Sequence, residues 1–596
     1  MTRSKPVYVL GTGLSHDGSA CLLKDGQICF AIEKERITRK KHDGGNDRLA
    51  IQYVLDAEQI GMSDLSLIVQ NANFGMLKGE PEWFEGERLP TGDVSVVTIS
   101  HHLAHAYSAF ATSPFEEAAV MIVDGCGNAF DDCIDLDGTT IPVTPDKEMA
   151  SLWHEKDSYY RFDADNFRPI HKDFSPWGSL KGYPLHPPTT RHSIGGVYAA
   201  ASKYVFDGME DAGKLMGLAP YGRPGAFTHE VFSLEDGRVF VKYDWMEDFR
   251  TPAHSRDDLK LRFQHYADLA YGIQREVERA LLYVFQQRFD AAPHSNLCYA
   301  GGVALNAVAN RRLLTEGPYR NLYIQPAAAD NGLAIGCAYY GWLNVLKQKK
   351  PKSDRRSYFG KTYAPPHVEG TLRRYSELVD FGRSEVPAAE AAAQLVAGKV
   401  VGWFQEGSEF GPRALGNRSI LADPRIEGIR DFINAKVKFR EDFRPFAPAV
   451  LAEDCSTYFD CAYESPHMLL TAPVKPQWRD ALAAVIHRDG SARIQTVTKD
   501  MNGRFHQLLE AFKAMTGLGV LLNTSLNRRG TPIVETPEDA MMLFLYSAID
   551  ILVIEDYVVR KPPDFAARMV QFNKLVAQQG AAGSGTMPQG FRPGTQ

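Results

Sequence analysis

The feature that most constrains the fold is an Asp-Gly turn between two apolar runs near the start of the chain. A strand-like run at residues 7–10 ends in a glycine turn, and the apolar-rich runs 19–23 and 27–32 then flank Asp25-Gly26. Asp-Gly between such runs is a strong β-hairpin signal. A dinucleotide-binding unit would instead enter a helix here, and Gly11-x-Gly13-x-x-His16 lacks its third glycine. The pattern therefore excludes a Rossmann unit.

The same strand-then-turn pattern returns later in the chain. Residues 118–123 form an apolar run that ends in Asp124-Gly125, and an aspartate-rich run that should return as the next strand ends in Asp137-Gly138. Glycine turns follow at Gly301-Gly302 and at residues 330–332, with helical patterns between the turns. Strands that end in acidic or glycine turns and alternate with helices are typical of a two-lobed α/β domain that handles nucleotides.

Length and local composition divide the chain into four predicted segments. The 596 residues are several times the length of a ~150-residue domain. Residues 351–366 are charged, contain prolines and carry few apolar side chains, which is typical of a linker. We therefore predict one domain over 1–350 and a second over 367–575. Residues 576–596, which are rich in Gly, Ser, Pro and Gln, are predicted to be a disordered tail.

Charge, cysteine usage and the distribution of apolar residues bear on the partners and the location of the protein. Lys and Arg total 66 and Asp and Glu total 73, so the formal net charge is −7, which gives no support to a nucleic-acid partner. The 8 cysteines include no C-x-x-C pair, which is typical of a reducing compartment. The chain contains no apolar stretch near ~18 residues and no signal-peptide core, so we predict a cytoplasmic protein with no membrane partner.

Two histidines four residues apart form the first candidate site. His101 and His105 follow a strand-like run, and Ser100 is placed to cap a helix that would carry both. A spacing of i and i+4 puts both imidazoles on one helix face, where they can share a metal ion. Asp124 and Asp330, at apparent strand ends, could complete a site suited to iron, zinc or manganese. Histidine pairs and turn aspartates are also common without a metal, so both interpretations stay open.

A third histidine is a candidate general base. His16 lies in the first glycine turn, where a side chain can meet a ligand. Its unperturbed pKa, near ~6.5, suits proton removal at neutral pH. The residues alone leave a solvated turn histidine as the alternative.

The second predicted domain carries a dense cluster of cations. Arg413 and Arg418 share a glycine-containing loop, and Lys438 and Arg444 follow shortly, with Arg493 further along. A charged run usually marks a solvated surface, but these cations are interleaved with Gly, Pro and Phe, which favours an anion pocket. Arginine forks bind phosphate oxygens in pairs, and lysine adds a point charge. The sequence contains no G-x-x-x-x-G-K-[ST] loop, so any ATP chemistry must use another architecture.

Eight short motifs occur in order between about residue 6 and about residue 570. They are Ser15-His-Asp-Gly-Ser-Ala20, His101-His-Leu-Ala-His-Ala106, Val123-Asp-Gly125, Gly213-Lys-Leu-Met-Gly-Leu-Ala-Pro220, Gly301-Gly-Val-Ala-Leu-Asn306, Phe410-Gly-Pro-Arg-Ala-Leu-Gly-Asn-Arg418, Phe443-Arg-Pro-Phe-Ala-Pro448 and Leu522-Asn-Thr-Ser-Leu-Asn527. Together they resemble the O-carbamoyltransferases of the nodulation and cephamycin type (NodU/CmcH), which include enzymes that tailor natural products. Two positions depart from the family pattern: Leu526 stands where an aromatic residue is frequent, and Phe439 where a glycine is frequent.

The resemblance implies an α/β fold with two domains. The N-terminal domain would be a two-lobed, actin-like domain of the ASKHA, threonylcarbamoyl-transferase-like type, and the C-terminal domain would be YrdC-like. The second domain would make carbamoyl-adenylate from carbamoyl phosphate and ATP, with Mg²⁺ accompanying the ATP. The first domain would then transfer the carbamoyl group to a hydroxyl of a small-molecule natural product.

The resemblance also implies roles for individual residues. A metal, iron or another divalent transition metal, would be held by His101, His105, Asp124 and Asp330. The implied catalytic residues are His16, as the base that deprotonates the acceptor, together with Lys438 and Arg493. The residues implied to bind ATP and carbamoyl phosphate are Arg413, Arg418, Lys438, Arg444, Arg493, Asn523, Ser525, Lys214, Gly301, Gly302 and Asn306.

Three other functions compete with this interpretation. The first is a tRNA threonylcarbamoyl-type modification enzyme, against which the net negative charge argues. The second is a non-catalytic actin-like module, and the third is a metallopeptidase, which would need a glutamate beside the histidines. The acceptor itself is not encoded in any motif; we expect residues 80–90 and 153–192 to shape its pocket, and we expect a homodimer.

Overall fold

The computed structural model describes residues 5–72, 89–163, 166–177, 185 and 193–581, with side chains described as far as residue 574. Parts of the two segments expected to shape an acceptor pocket therefore lie outside the described residues. These parts are residues 80–88, 164–165, 178–184 and 186–192.

The predicted hairpin begins a five-stranded sheet. Strands β1 to β3 are antiparallel neighbours, whereas β4 and β5 lie parallel to β1 on its other side, in the order β3-β2-β1-β4-β5. Asp25 and Gly26 both have positive φ, +49° and +82°, as the tight hairpin turn requires. The hairpin is confirmed, and so is the exclusion of a Rossmann unit. The strands are β1 Tyr8–Leu14, β2 Ser19–Lys24, β3 Gln27–Glu33, β4 Leu67–Ala72 and β5 Val96–Ile99.

A second five-stranded sheet repeats this layout. Its order is β12-β11-β6-β7-β8, in which β6, β7 and β8 are antiparallel while β11 and β12 run parallel to β6. The expectation that the run ending in Asp137-Gly138 supplies the returning strand is wrong, because β7 takes that place. The strands are β6 Ala118–Val123, β7 Trp153–Phe162, β8 Phe167–Pro176, β11 Asn296–Ala300 and β12 Asn321–Ile324; a separate ribbon is formed by β9 Phe232–Glu235 and β10 Arg238–Val241.

Two helices pack between the two sheets and against each other. One buried core cluster joins Val9 of the first sheet and Val120 of the second to α3 (His101–Thr112) and α9 (Leu333–Tyr340). A Cβ on Gly336 would lie 1.7 Å from the Ala104 carbonyl oxygen, so only glycine permits this approach. The two helices therefore hold the two halves of the N-terminal part in one fixed arrangement.

Further helices cover the outer faces of both sheets. Helices α1 and α2 accompany the first sheet, and α4 to α8 accompany the second, each with its own buried apolar cluster. Their bounds are α1 Lys34–Thr38, α2 Arg48–Glu58, α4 Ile194–Phe206, α5 Ala212–Leu218, α6 Arg256–Leu261, α7 Phe263–Ala291 and α8 Ala307–Glu316.

The C-terminal part is built on one mixed nine-stranded sheet. Its order is β13-β21-β20-β14-β15-β19-β16-β18-β17, and it forms a continuous buried core with its helices. The strands are β13 Asp380–Arg383, β14 Val401–Phe404, β15 Arg418–Ala422, β16 Ala447–Leu451, β17 Leu470–Pro473, β18 Ser491–Val497, β19 Val520–Ser525, β20 Ile551–Ile554 and β21 Tyr557–Arg560. The helices are α10 Pro365–Arg373, α11 Pro387–Val396, α12 Ile429–Phe432, α13 Cys455–Tyr458, α14 Gly503–Thr516, α15 Pro537–Leu545 and α16 Phe565–Ala581. The α/β class is thus confirmed.

The segment predicted as a linker is packed between the two parts. The carbonyl of Phe359 accepts a hydrogen bond from the amide of Ala31 in β3, and the amide of Phe359 donates to Ser408 in the C-terminal part. At the other end of the chain, α16 continues to Ala581, so residues 576–581 are helical rather than disordered. The rest of the predicted tail, 582–596, lies outside the described residues. Within the described part of the chain, none of the helices has the length and apolar character needed to cross a membrane.

Candidate active site

Helix α3 presents His101 and His105 to one buried point, as their spacing predicts. Both side chains are fully buried, and their Nε2 atoms lie 3.1 Å apart. The expectation that Ser100 caps this helix with its side chain is wrong, because its Oγ donates instead to Asp135 Oδ1 at 2.7 Å. The amide of His101 is capped by Asn128 Oδ1, at 2.6 Å.

Two carboxylates complete this buried point. Asp124 follows β6 and Asp330 precedes α9, so the strand end and the helix start meet beside α3. Nε2 of His101 lies 3.0 Å from Asp124 Oδ2 and 3.5 Å from Asp330 Oδ1, and Nε2 of His105 lies 3.7 Å from each. Burial alone would lower the pKa of His101, but Asp330 and Asp124 raise it to about 10. Burial alone would raise the pKa of both aspartates, and the histidines hold both below their usual range.

The donor set fits a divalent transition metal. One atom from each of the four side chains lies within 4.8 Å of the other three. Ligands about 2.1 Å from a tetrahedral ion stand ~3.4 Å apart, which is close to the spacing of these atoms. Two imidazole nitrogens with two carboxylate oxygens suit iron, zinc or manganese better than calcium. The structure therefore brings together all four predicted ligands.

His16 lies directly beside this point. Its Nδ1 is 3.1 Å from Asp330 Oδ2, the oxygen that is not directed at the two buried histidines. The side chain is half exposed, and Nε2 approaches Asp17 Oδ2 at 3.5 Å and Glu210 at 3.9 Å. Burial alone would lower the pKa of His16, but Asp330, together with Asp17 and Glu210, raises it. His16 thus contacts the candidate metal site through one nitrogen, while its other nitrogen points toward acidic side chains.

The cations of the C-terminal part converge in a second cluster. The Lys438 ammonium is buried and donates to Ser525 O at 2.7 Å and to Asn527 Oδ1 at 2.5 Å. Within the described residues, Nε of Arg493 and Nε of Arg413 are buried without hydrogen-bond partners. Burial and neighbouring arginines lower the pKa of Lys438 and of Arg493 well below their ordinary values. Like charges held close together and buried destabilise one another, and a bound anion would stabilise them.

Arg440 is a further cation of this cluster, and the sequence had assigned it no role. Arg440 is packed 4.4 Å from the centre of the Phe446 ring, and its Nε donates to Asn434 Oδ1. Burial and Arg444 lower the pKa of Arg440. Arg440 follows Lys438 by two residues, and this proximity was the only sequence signal that could have marked it.

Arg418 does not join the cluster. Its side chain is fully buried and lies 3.5 Å from the centre of the Phe404 ring. The guanidinium donates to the carbonyl oxygens of Gln405, Glu406, Asn417 and Glu535. Arg418 therefore holds β15 to the surrounding loops and does not face the cavity that the other cations line.

The remaining predicted binding residues differ in how directly they face this cavity. Asn523 and Ser525 line it beside Lys438, and Lys214, Gly302 and Asn306 line it on the N-terminal side. Gly301 lies just outside; it has a φ of +94°, and a Cβ there would lie 2.2 Å from the Val123 carbonyl oxygen. Gly301 thus serves the turn, which lets the Gly302 amide donate to Asp124 Oδ1 at 2.9 Å.

One cavity of about 720 Å³ connects the two clusters. His16, Asp124 and Asp330 line one end, and Lys438 and Arg493 line the other. Several other residues that line the cavity were not predicted from the sequence, among them Glu35, His42, Arg440, His487 and Arg488. A cavity of this size holds one small ligand or two in contact.

The chain matches a known family along most of its length. A family profile described as "Carbamoyltransferase N-terminus" matches residues 9–80 and 84–339, and one described as "Carbamoyltransferase C-terminus" matches residues 392–561. The chain belongs to the carbamoyltransferase family, and it is a transferase enzyme. The resemblance to O-carbamoyltransferases of the nodulation and cephamycin type is thereby confirmed.

Individual relatives cover nearly the whole chain. Nodulation protein NolNO of Sinorhizobium fredii is 34% identical over 92% of this chain and 79% of its own length. The 3'-hydroxymethylcephem-O-carbamoyltransferase of Streptomyces clavuligerus is 28% identical over 92% of this chain and 98% of its own. Among solved structures, HypF of T. kodakarensis is 16% identical, with a TM-score of 0.36 over 58% of this chain and 50% of that one.

Proposed function

We propose that this chain is an ATP-dependent O-carbamoyltransferase that makes carbamoyl-adenylate and passes its carbamoyl group to a hydroxyl of a small-molecule natural product. The observation that carries the proposal is the single cavity with a cation cluster at one end and His16 beside the candidate metal ligands at the other. Because both ends open into one space, an intermediate made at the first can reach the second without leaving the protein.

The cation cluster suits the first reaction. Carbamoyl phosphate, ATP and water give carbamoyl-adenylate, phosphate and pyrophosphate, so the site must hold two polyanions and two anionic products. Lys438 and Arg493 would supply the positive charge that the displaced pyrophosphate needs, and Mg²⁺ would accompany the ATP. Bound phosphate oxygens would also supply the acceptors that the Nε atoms of Arg413 and Arg493 lack within the described residues.

The opposite end suits the transfer. His16 would take the proton from the acceptor hydroxyl while the hydroxyl oxygen bonds to the carbamoyl carbon and AMP departs. Nε2 is the nitrogen left for this task, since Nδ1 faces Asp330 Oδ2, and a cation bound by Asp330 would offset the negative charge that raises the pKa of His16. A divalent transition metal held by His101, His105, Asp124 and Asp330 would supply Lewis acidity toward the carbamoyl carbonyl.

The finer features of the fold belong to the same proposal. The repeated strand order of the two N-terminal sheets supports an actin-like, two-lobed domain over about 1–350. The mixed C-terminal sheet is proposed to be YrdC-like over 367–575, with 351–366 joining the two domains. A natural-product acceptor is supported by the relative whose name specifies a hydroxymethylcephem.

The test is a screen of hydroxyl compounds with the purified protein, carbamoyl phosphate and ATP. The expected result is a product heavier by one carbamoyl group, formed only when both co-substrates are present and accompanied by pyrophosphate. Product formed from carbamoyl phosphate without ATP would contradict the adenylate route.

A further inference from the structure

The helix that carries the two candidate metal-binding histidines is fixed at its start by side chains from outside the helix. The first amides of an α-helix have no acceptor within the helix itself. In α3, the amide of His101 donates to Asn128 Oδ1 at 2.6 Å, and the amide of His102 donates to Glu155 Oε2 at 3.3 Å. The same Glu155 oxygen accepts the amide of Asn128 at 3.0 Å. Glu155 therefore orders the start of the helix both directly and through Asn128.

A buried lysine holds Glu155 and a second carboxylate together. Lys172 Nζ donates to Glu155 Oε1, to Asp135 Oδ2 at 2.7 Å and to the Tyr160 hydroxyl at 3.0 Å. The other oxygen of Asp135 accepts the hydroxyl of Ser100, the residue that precedes α3. Lys172 and Glu155 are completely buried. We call Lys172, Glu155 and Asp135 the Lys172 clamp.

The surroundings of the clamp leave little freedom. A Cβ on Gly127 would lie 2.6 Å from Glu155 Oε2 and 2.9 Å from the His102 ring. Cys133, Asp135 and Glu155 also bring potential ligand atoms within 4.8 Å of one another, but the Lys172 ammonium contacts both carboxylates. The clamp is therefore a charge-paired support and not a second metal site.

We propose that Lys172, Glu155 and Asp135 are positioning residues for the metal centre. They fix the first turn of α3 and, through it, the direction of the His101 and His105 rings. A rigid helix start matters because metal ligands must be held in a narrow geometry before the ion arrives. This inference rests on the metal site of the proposed function.

The same two strands provide a matched control on their opposite face. Lys156 follows Glu155 in β7, and Asp173 follows Lys172 in β8; Lys156 Nζ donates to the Val239 carbonyl oxygen and Asp173 accepts from Arg238, so this second pair faces β10 and not α3. Lys156 Nζ lies 2.8 Å from Asp173 Oδ2, and both residues are buried. Lys172→Met and Lys156→Met each remove one buried ammonium, which contacts two carboxylates in the first case and one in the second, but only the first contacts the groups that hold the start of α3.

The test measures Co²⁺ binding by the metal-depleted full-length protein, followed through the visible absorption of the bound ion. We expect Lys172→Met to bind Co²⁺ about 10- to 100-fold more weakly than the unmodified protein and to give a changed spectrum, as removal of outer support typically does. Lys156→Met should keep the original affinity and spectrum even where it lowers the midpoint of unfolding.

A milder variant keeps the test valid if Lys172→Met fails to fold. Glu155→Gln preserves the size of the side chain and an oxygen acceptor but removes the charge that Lys172 and the helix start both contact. We expect it to weaken Co²⁺ binding while Lys156→Met does not. Unchanged Co²⁺ affinity in the folded clamp variants, or an equal loss in Lys156→Met, overturns the positioning role. Absence of Co²⁺ binding by the unmodified protein overturns the metal site itself, so the two failures are distinguishable.

Discussion

The two ends of the cavity balance their charges in opposite ways. At the histidine end, two buried imidazoles lie against two carboxylates; the carboxylates raise the pKa of His101, and the histidines lower the pKa of Asp124. At the cation end, burial lowers the pKa of Lys438, Arg440 and Arg493, and Arg444 lowers all three further. The first end has the donor set for a small ion, whereas the second has buried positive charge that a polyanion would offset. This difference supports the two binding events and two chemical steps of the proposed function.

The largest expected effect concerns the histidine end. We expect the combined variant His101→Ala/His105→Ala to lose its metal, from about one ion per chain to almost none, because two of four ligands are removed. His102→Gln is the matched control: His102 is buried on the same helix, but its Nδ1 faces Ser158 Oγ at 2.7 Å. Elemental analysis decides the point, and full metal content in the double variant would contradict the assignment.

The next effect separates a binding arginine from a structural one. Arg493→Ala should lower the rate of ATP-dependent pyrophosphate release on the order of ten- to a hundredfold, because the charge-assisted contact that it loses is worth about 1.5–3 kcal/mol. Arg418→Ala should instead lower the midpoint of unfolding, since Arg418 donates to carbonyl oxygens outside the cavity. An unchanged rate of pyrophosphate release in Arg493→Ala would refute the comparison.

A smaller effect concerns protons at the cation end. The pKa of Lys438 is lowered by burial and by Arg440, and phosphate oxygens beside it would raise that pKa again. Arginines stay protonated throughout, so Lys438 is the group that can take up a proton when the anion binds. Pyrophosphate binding should therefore be accompanied by proton uptake, and its affinity should fall as pH rises from the pKa of Lys438 in the free protein toward its higher pKa in the complex.

Calorimetric titration in buffers of different ionisation enthalpy measures this uptake directly. Lys438→Met should remove the proton uptake and its pH dependence while leaving the arginine contacts in place. Proton release on binding, or the same uptake in Lys438→Met, would show that another group titrates.

The smallest expected effect is a gain in stability. Phe439 is about half exposed and has a φ of +51°, in the left-handed region that costs an L-residue about 1–2 kcal/mol. Glycine removes this strain, but it also loses more conformational entropy on folding than phenylalanine does. Phe439→Gly should therefore raise the free energy of unfolding by up to about 1 kcal/mol. Phe439→Ala keeps the strain and serves as the control in denaturant titrations. An equal gain in both variants would trace the effect to the ring instead of the backbone.

The sequence predicts best where chemistry depends on local spacing. The hairpin at Asp25-Gly26 and the shared face of His101 and His105 follow from neighbouring residues and match the structure. Asp124 and Asp330 are more than two hundred residues apart, so their positions at apparent strand ends left them as one of two open interpretations, and the resemblance united them with the histidines.

Prediction fails where tertiary contacts override local preference. Ser100 has the residue type of a helix cap, but its hydroxyl reaches Asp135 instead, because Asn128 and Glu155 already occupy the first amides of α3. Arg418 has the same charge and motif as Arg413, yet its loop directs it to carbonyl oxygens. The charged composition of residues 351–366 indicates solvent, although Phe359 joins both parts of the chain. None of these partners is adjacent in sequence.

The central claim, that one cavity runs two separable reactions, is tested most directly with His16→Asn. This variant keeps a polar side chain of similar size but cannot accept the acceptor's proton, and loss of a general base costs about 10²–10⁴-fold. Pyrophosphate and carbamoylated product are measured in the same reaction, with carbamoyl phosphate, ATP and an acceptor found in the screen. We predict that pyrophosphate release continues while product formation falls by that factor. Normal product formation, or an equal fall in both quantities, would contradict the account.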